Sequence, residues 1–149
     1  MIGIIVGSDS DLETMNNCAE KLSSLGIHFE MVTASAHRNP DKVTENIKKW
    51  EKNGYKIIIA AAGMSAALPG VVASQTNLPV IGVPMKSDLM GIDSLLSIVQ
   101  MPKGVPVACM SVGKHGAINA ALYAKRILDL MDLDPPYGCL LYTSPSPRD

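Results

Sequence analysis

An imidazole and a guanidinium stand side by side in Ser35-Ala36-His37-Arg38-Asn39-Pro40, directly after a run of apolar and β-branched residues. His37 belongs to the one side-chain type whose ordinary pKa, around 6.5, lets it take and give a proton near neutrality. Arg38 offers a planar, permanently charged fork that matches a phosphate or a carboxylate, and Ser35 adds a hydroxyl. A proton shuttle beside an anion clamp is the equipment for acid–base chemistry on a phosphorylated small molecule. The same residues also suit a surface His-Arg pair ahead of a helix that Pro40 begins, and position alone leaves both readings open.

Two further stretches could work with that loop. In Gly7-Ser8-Asp9-Ser10-Asp11 a glycine permits a tight turn, and Ser8, Ser10 and Asp11 stand where a helix opens. Free N–H groups and the helix dipole favour an anion there, and Asp11 could accept from ribose hydroxyls. The competing reading is a plain helix cap made by Ser10 or Asp11. Neither G-x-x-x-x-G-K-[ST] nor G-x-G-x-x-G is present, so a nucleoside triphosphatase loop and a dinucleotide fingerprint are unsupported. The third stretch, Ala62-Gly63-Met64-Ser65-Ala66-Ala67-Leu68-Pro69-Gly70, is small enough at Gly63 for a flat ligand to approach the backbone. A tight packing turn would use the same residues. His28 and His115 read as structural and helix-start residues.

The elements that must position these loops follow from periodicity. Short apolar runs at about 2–6, 29–34, 56–61, 79–83 and 105–110 read as buried strands. Between them, helical spacing predicts helices over Leu12–Leu25, Pro40–Lys52, Ala66–Ser74, Ser94–Val99 and Lys114–Met131. Strands apolar on both faces that alternate with helices predict a doubly wound α/β fold, a three-layer sandwich around a parallel sheet of about five strands. In such a sheet the carboxyl ends of all strands share one edge, so the three loops should converge there.

Composition bounds the partners. The chain has 149 residues, 47% of them hydrophobic, and 13 basic against 14 acidic residues spread along its length. No basic footprint for nucleic acid and no apolar run of membrane-spanning length is present. Cys18, Cys109 and Cys139 are widely spaced without a C-x-x-C pair, which argues against a zinc site or a disulfide framework and fits a cytoplasmic protein. The amino terminus reads as a first strand and not as a signal peptide. Residues 1–133 are expected to form one catalytic domain. Residues 134–149 are proline-rich and aperiodic, and read as a disordered or non-native tail in place of a terminal helix.

Taken together, these loops resemble the N5-carboxyaminoimidazole ribonucleotide mutase family of purine biosynthesis, which also includes aminoimidazole ribonucleotide carboxylases. The resemblance rests on the three stretches above, on Pro79-Val80-Ile81-Gly82-Val83-Pro84, and on Gly91-Ile92-Asp93-Ser94-Leu95-Leu96-Ser97-Ile98-Val99-Gln100-Met101-Pro102. It implies a flavodoxin-like fold and a cofactor-free, metal-free isomerase that moves a carboxylate from an exocyclic nitrogen to the neighbouring ring carbon. By resemblance His37 is the acid–base residue, and Ser8, Asp11 and Arg38 are substrate-binding positions. Ser10 and Ser35 would meet the phosphate, and Gly63, Ser65 and Leu68 would line the site. The resemblance also implies a homo-octamer whose neighbouring subunits complete each pocket, here weakened by the altered carboxyl terminus. One departure stands out: Ala67 occupies the place immediately before Leu-Pro-Gly where mutases of the family carry a second histidine. That keeps a carbon dioxide-dependent carboxylase as the alternative, with a non-catalytic flavodoxin-like nucleotide-binding module as a third.

Overall fold

The computed structural model describes residues 1–132; the tail expected at 134–149, with Cys139, lies outside the described residues. Five parallel strands form one sheet in the order β2-β1-β3-β4-β5: β1 Ile2–Val6, β2 Phe29–Thr33, β3 Ile57–Ala62, β4 Val80–Pro84 and β5 Ala108–Cys109. The chain leaves β1 toward β2 on one side, then crosses to β3, β4 and β5 on the other. Strand order therefore reverses between β1 and β3, and their carboxyl ends open the crevice where doubly wound sheets bind ligands. Register is regular there, with Val6 opposite Thr33 on one side and opposite Ala61 on the other.

The helices are α1 Leu12–Ser24, α2 Pro40–Lys52, α3 Leu68–Ala73, α4 Ile92–Val99 and α5 Lys114–Met131. Because side chains alternate along a strand, β1 sends Ile2, Ile4 and Val6 to one face and Ile5 to the other. The first face packs on Met15, Cys18 and Leu22 of α1 and on Ala117, Ala120, Ala121 and Ala124 of α5. The second packs on Val43, Ile47 and Trp50 of α2, Leu68 and Val72 of α3, and Ile98 of α4. This is the expected three-layer sandwich, with both sheet faces buried.

Two strand glycines hold the layers at their spacing. A methyl at Gly3 would lie 2.5 Å from Trp50 Cε3, and one at Gly82 would lie 2.5 Å from Ile98 Cγ2. Trp50 also donates its indole N–H to Glu30 Oε2 at 3.2 Å, where Tyr55 OH donates at 3.1 Å. Lys49 pairs with the other oxygen of that carboxylate at 2.6 Å. The Lys49 hydrogen bond is the main reason the Glu30 carboxyl is held below its ordinary range.

Two elements differ from the periodicity. β5 spans only Ala108–Cys109 where a strand over 105–110 is expected. Pro106 has no N–H for a ladder and Gly104 sits at φ 97°, so the chain joins the edge late. Helix α3 starts at Leu68 and not at Ala66. Pro69 stands in its first turn, where a missing N–H would have no intrahelical partner, while Met64 at φ 56° turns the chain beforehand. Among the described residues no helix is long and apolar enough to cross a membrane.

Candidate active site

The loops after β1, β2 and β3 meet at the switch point around a cavity of about 380 Å³, within the ordinary range for small-molecule sites. Its walls include Ser8, Ser10 and Asp11 from the first loop, Ser35, His37 and Arg38 from the second, and Gly63, Ser65 and Leu68 from the third. All nine expected site residues therefore share one cavity. A larger groove of about 780 Å³ lies elsewhere, beside Ser74–Ile81 and the later half of α5. Glu51 is its one charged residue, and that carboxylate already accepts from Thr76, so the smaller cavity is the one equipped for chemistry.

The second loop is braced from within. Ser35 Oγ accepts from the backbone N–H of His37 at 3.3 Å and of Arg38 at 3.2 Å. Asn39 closes the turn in the other direction, its side-chain oxygen accepting from Ser35 N while its own N–H donates to Ser35 O at 3.0 Å. The six residues between β2 and α2 thus form a compact turn that projects His37 and Arg38 outward. Both side chains are exposed at the cavity mouth, and the hydroxyl proton of Ser35 remains free to donate to a ligand.

The first loop is a single 3-10 turn, Asp9–Asp11, leading into α1. Ser8 is its cap: in extended backbone, its Oγ accepts from Ser10 N at 3.4 Å and lies 3.0 Å from Ser10 Oγ. Asp11, the residue ahead of α1, makes no capping bond with its side chain. Its carboxylate makes no hydrogen bond among the described residues, and partial burial pushes its pKa above the ordinary aspartate value. Capping in this loop falls to Ser8, so the reading of Ser10 or Asp11 as a plain cap does not describe it.

The third loop turns through Met64 and Ser65, with Ala66 N donating to Met64 O at 2.9 Å and Ala67 N to Ser65 O at 2.7 Å. Gly63 keeps this wall close to the next one: a methyl there would lie 3.4 Å from Met85 Cβ. The loop after β4 adds Lys86 and Ser87 to the cavity, and these the sequence reading missed. The signal was available, since β4 ends at the same sheet edge as β1 to β3. The cysteines stay out of the chemistry. Burial pushes the Cys18 thiol up to about 12 and also raises Cys109, so neither is a ready thiolate.

A doubly wound α/β sheet with an imidazole, a guanidinium, hydroxyls and a partly buried carboxylate at its switch point defines a small-molecule enzyme that works on an anionic substrate. The AIR carboxylase family model matches residues 1–134, and the chain belongs to that family. It is 53% identical over 135 residues to the N5-carboxyaminoimidazole ribonucleotide mutase of Bacillus subtilis, covering 90% of this chain and 83% of that protein. To the enzyme of the same name from Thermotoga maritima it is 54% identical over 130 residues, 87% of this chain and 75% of that one. A crystal structure of Treponema denticola PurE superposes with a TM-score of 0.80 at 33% identity, over 88% of this chain and 81% of that chain.

Proposed function

We propose that this chain is an N5-carboxyaminoimidazole ribonucleotide mutase, an isomerase of purine biosynthesis that moves a carboxylate from the exocyclic nitrogen to the adjacent ring carbon. The observation that carries the chemistry is the placement of His37 and Arg38 on one braced turn in the switch-point cavity. Identity of 53% to the Bacillus subtilis mutase supports the substrate.

The proton balance suits one imidazole. Loss of carbon dioxide from the carbamate breaks the N–C bond, and the nitrogen takes one proton. Attack of the ring carbon on that carbon dioxide forms the C–C bond, and the same carbon then gives up its proton. One proton is taken and one returned, so a single group of near-neutral pKa serves both steps. His37 is that group. Arg38 holds an anionic group of the substrate, with the Ser35 and Ser10 hydroxyls on the phosphate. Ser8 and Asp11 bind the ribonucleotide, Asp11 accepting from ribose hydroxyls, while Gly63, Ser65 and Leu68 form the wall against the ring. Carbon dioxide must be retained between the two steps, which calls for a closed, water-poor pocket. His37 and Arg38 are exposed in the single chain, so closure would come from neighbouring subunits of a homo-octamer in the cytoplasm.

The carboxylase reading keeps one observation in its favour: the wall residues Ser65 and Ala67 bring no second imidazole into the cavity. Incubation with N5-carboxyaminoimidazole ribonucleotide, and separately with aminoimidazole ribonucleotide at limiting and high bicarbonate, separates the two. Turnover confined to the N-carboxylated compound is the expected result. Efficient carboxylation of the plain aminoimidazole would establish the carboxylase instead.

A further inference from the structure

The loop after β4 brings one ionic group to the cavity, Lys86, and no role follows for it from the three loops already described. We propose that Lys86 is the carboxylate-binding residue of the site, holding the transferred carboxylate at the end of the cavity opposite Arg38. This deepens the mutase reading and rests on it.

Placement is the first argument. Arg38 follows β2 and Lys86 follows β4, and in the order β2-β1-β3-β4 these strands stand three intervals apart, roughly 14 Å at the usual strand spacing. Both side chains nevertheless line the same cavity. Two cations facing one another across that span fit a ligand with an anion at each end, and a carboxylated ribonucleotide has a phosphate at one end and a carboxylate at the other. Arg38 shares its wall with Ser35 and lies toward the hydroxyls of the first loop, which makes that side the phosphate side. On the β3 and β4 side Lys86 is the one formally charged group among the lining residues.

Availability and support complete the case. Lys86 is exposed and enters no ion pair among the described residues. Ala67, on the neighbouring wall, carries nothing beyond its methyl, so the long lysine chain has room to swing inward. Its backbone is fixed: Met85 N donates to Ala62 O at 2.9 Å, and the fully buried Ser94 Oγ donates to Met85 O at 2.7 Å and lies 3.0 Å from Gly91 O. A charged tip on an anchored base is suited to following a carboxylate whose two attachment atoms lie two bonds apart. The migrating group keeps partial negative charge on its oxygens while its bond is breaking or forming, so Lys86 holds the carboxylated ground states and the adjoining transition states about equally, a contribution felt in KM and little in kcat.

The test compares ligands with and without the carboxylate on wild type, Lys86→Met and Lys86→Arg, using calorimetric binding and steady-state kinetics. Lys86→Met should weaken the 4-carboxylated ribonucleotide product tenfold to a hundredfold and raise KM for the N-carboxylated substrate similarly. Affinity for plain aminoimidazole ribonucleotide should stay within twofold and kcat within threefold, and Lys86→Arg should restore most of the discrimination. Equal weakening of both ligands, or of neither, would overturn the assignment. Wild-type turnover is read separately: if the wild type discriminates through Lys86 yet turns over no N-carboxylated substrate, the mutase reading fails while the carboxylate site stands.

Discussion

Ser35 Oγ accepts from His37 N at 3.3 Å, so the proposed proton shuttle is aimed by the hydroxyl two residues before it. The same oxygen takes Arg38 N at 3.2 Å. One side chain thereby orients both the acid–base group and the anion clamp. Ser35→Ala should cost about 1 kcal/mol of stability for the lost hydrogen bonds. It should lower kcat/KM by a larger factor, on the order of a hundredfold, because small misplacements of catalytic groups are expensive. Ser35→Thr, which keeps the hydroxyl, should recover most of the activity. Kinetics and thermal denaturation of the two variants check this, and equal activity of the Ala and Thr forms would contradict it.

His37→Asn removes the titrating group while preserving much of the side chain's volume and polarity. Turnover should fall by about 10² to 10⁴, the usual contribution of a positioned acid–base residue. Ribonucleotide affinity should stay within a few-fold of wild type, since His37 moves protons in the proposed cycle and is not the anion clamp. Single-turnover kinetics beside equilibrium binding separates the two effects. Near-wild-type turnover would take His37 out of the mechanism.

Arg38→Lys keeps the charge and loses the fork. A point charge on a flexible stem cannot reproduce two parallel N–H···O bonds, so ribonucleotide affinity should drop roughly tenfold or more, equivalent to about 1.4 kcal/mol. The loss should appear mainly in KM. Plain ribose 5-phosphate, used as a competitor, should lose affinity in parallel, because Arg38 stands on the phosphate side of the cavity; unchanged competitor affinity would contradict that placement.

Gly3→Ala tests the fold independently of the site. The new methyl would lie 2.5 Å from Trp50 Cε3 and 2.6 Å from Trp50 Cδ2, with the indole fully buried. Overpacking of this kind costs about 1–3 kcal/mol. Chemical denaturation followed by the fluorescence of Trp50, the chain's single tryptophan, should show a lower midpoint and an altered native spectrum. An unchanged midpoint would mean that the α2 layer yields more easily than its burial implies.

Much of this architecture was legible because burial on both strand faces leaves an unmistakable pattern. Ile57-Ile58-Ile59-Ala60-Ala61-Ala62 is buried at every position, and such a run alternating with amphipathic helices has few folds open to it. Once strands are parallel, topology places the loops, so the convergence of Asp11, His37 and Gly63 on one edge followed without coordinates. What did not follow was the work of individual oxygens. Ser8 caps its turn while Asp11 stays unbonded, and Ser35 braces a loop, because those choices depend on dihedral angles that residue types leave open. Lys86 was missed for a different reason: a lone lysine in Met85-Lys86-Ser87-Asp88 carries no motif, and only its place just past the carboxyl end of β4 brings it to the cavity.

Asp11 couples the site to stability through its titration. Burial raises its folded pKa above the ordinary value of 3.8, so the ionised form is disfavoured in the ligand-free fold. The sign follows from linkage: the folded state holds the proton more tightly, and stability declines as pH rises from the unfolded pKa through the folded one. Above that window the cost is fully present. Asp11→Asn, neutral at every pH, should therefore melt higher than wild type at pH 7 to 8, with the difference shrinking as pH falls toward the carboxylate range. Ribonucleotide binding should go the other way, weakened because an amide is a poorer acceptor for ribose hydroxyls than a carboxylate. A variant that melts lower than wild type at pH 8 would show that Asp11 supports the fold in its charged form, and would remove the reason for regarding its carboxylate as held in reserve for the ligand.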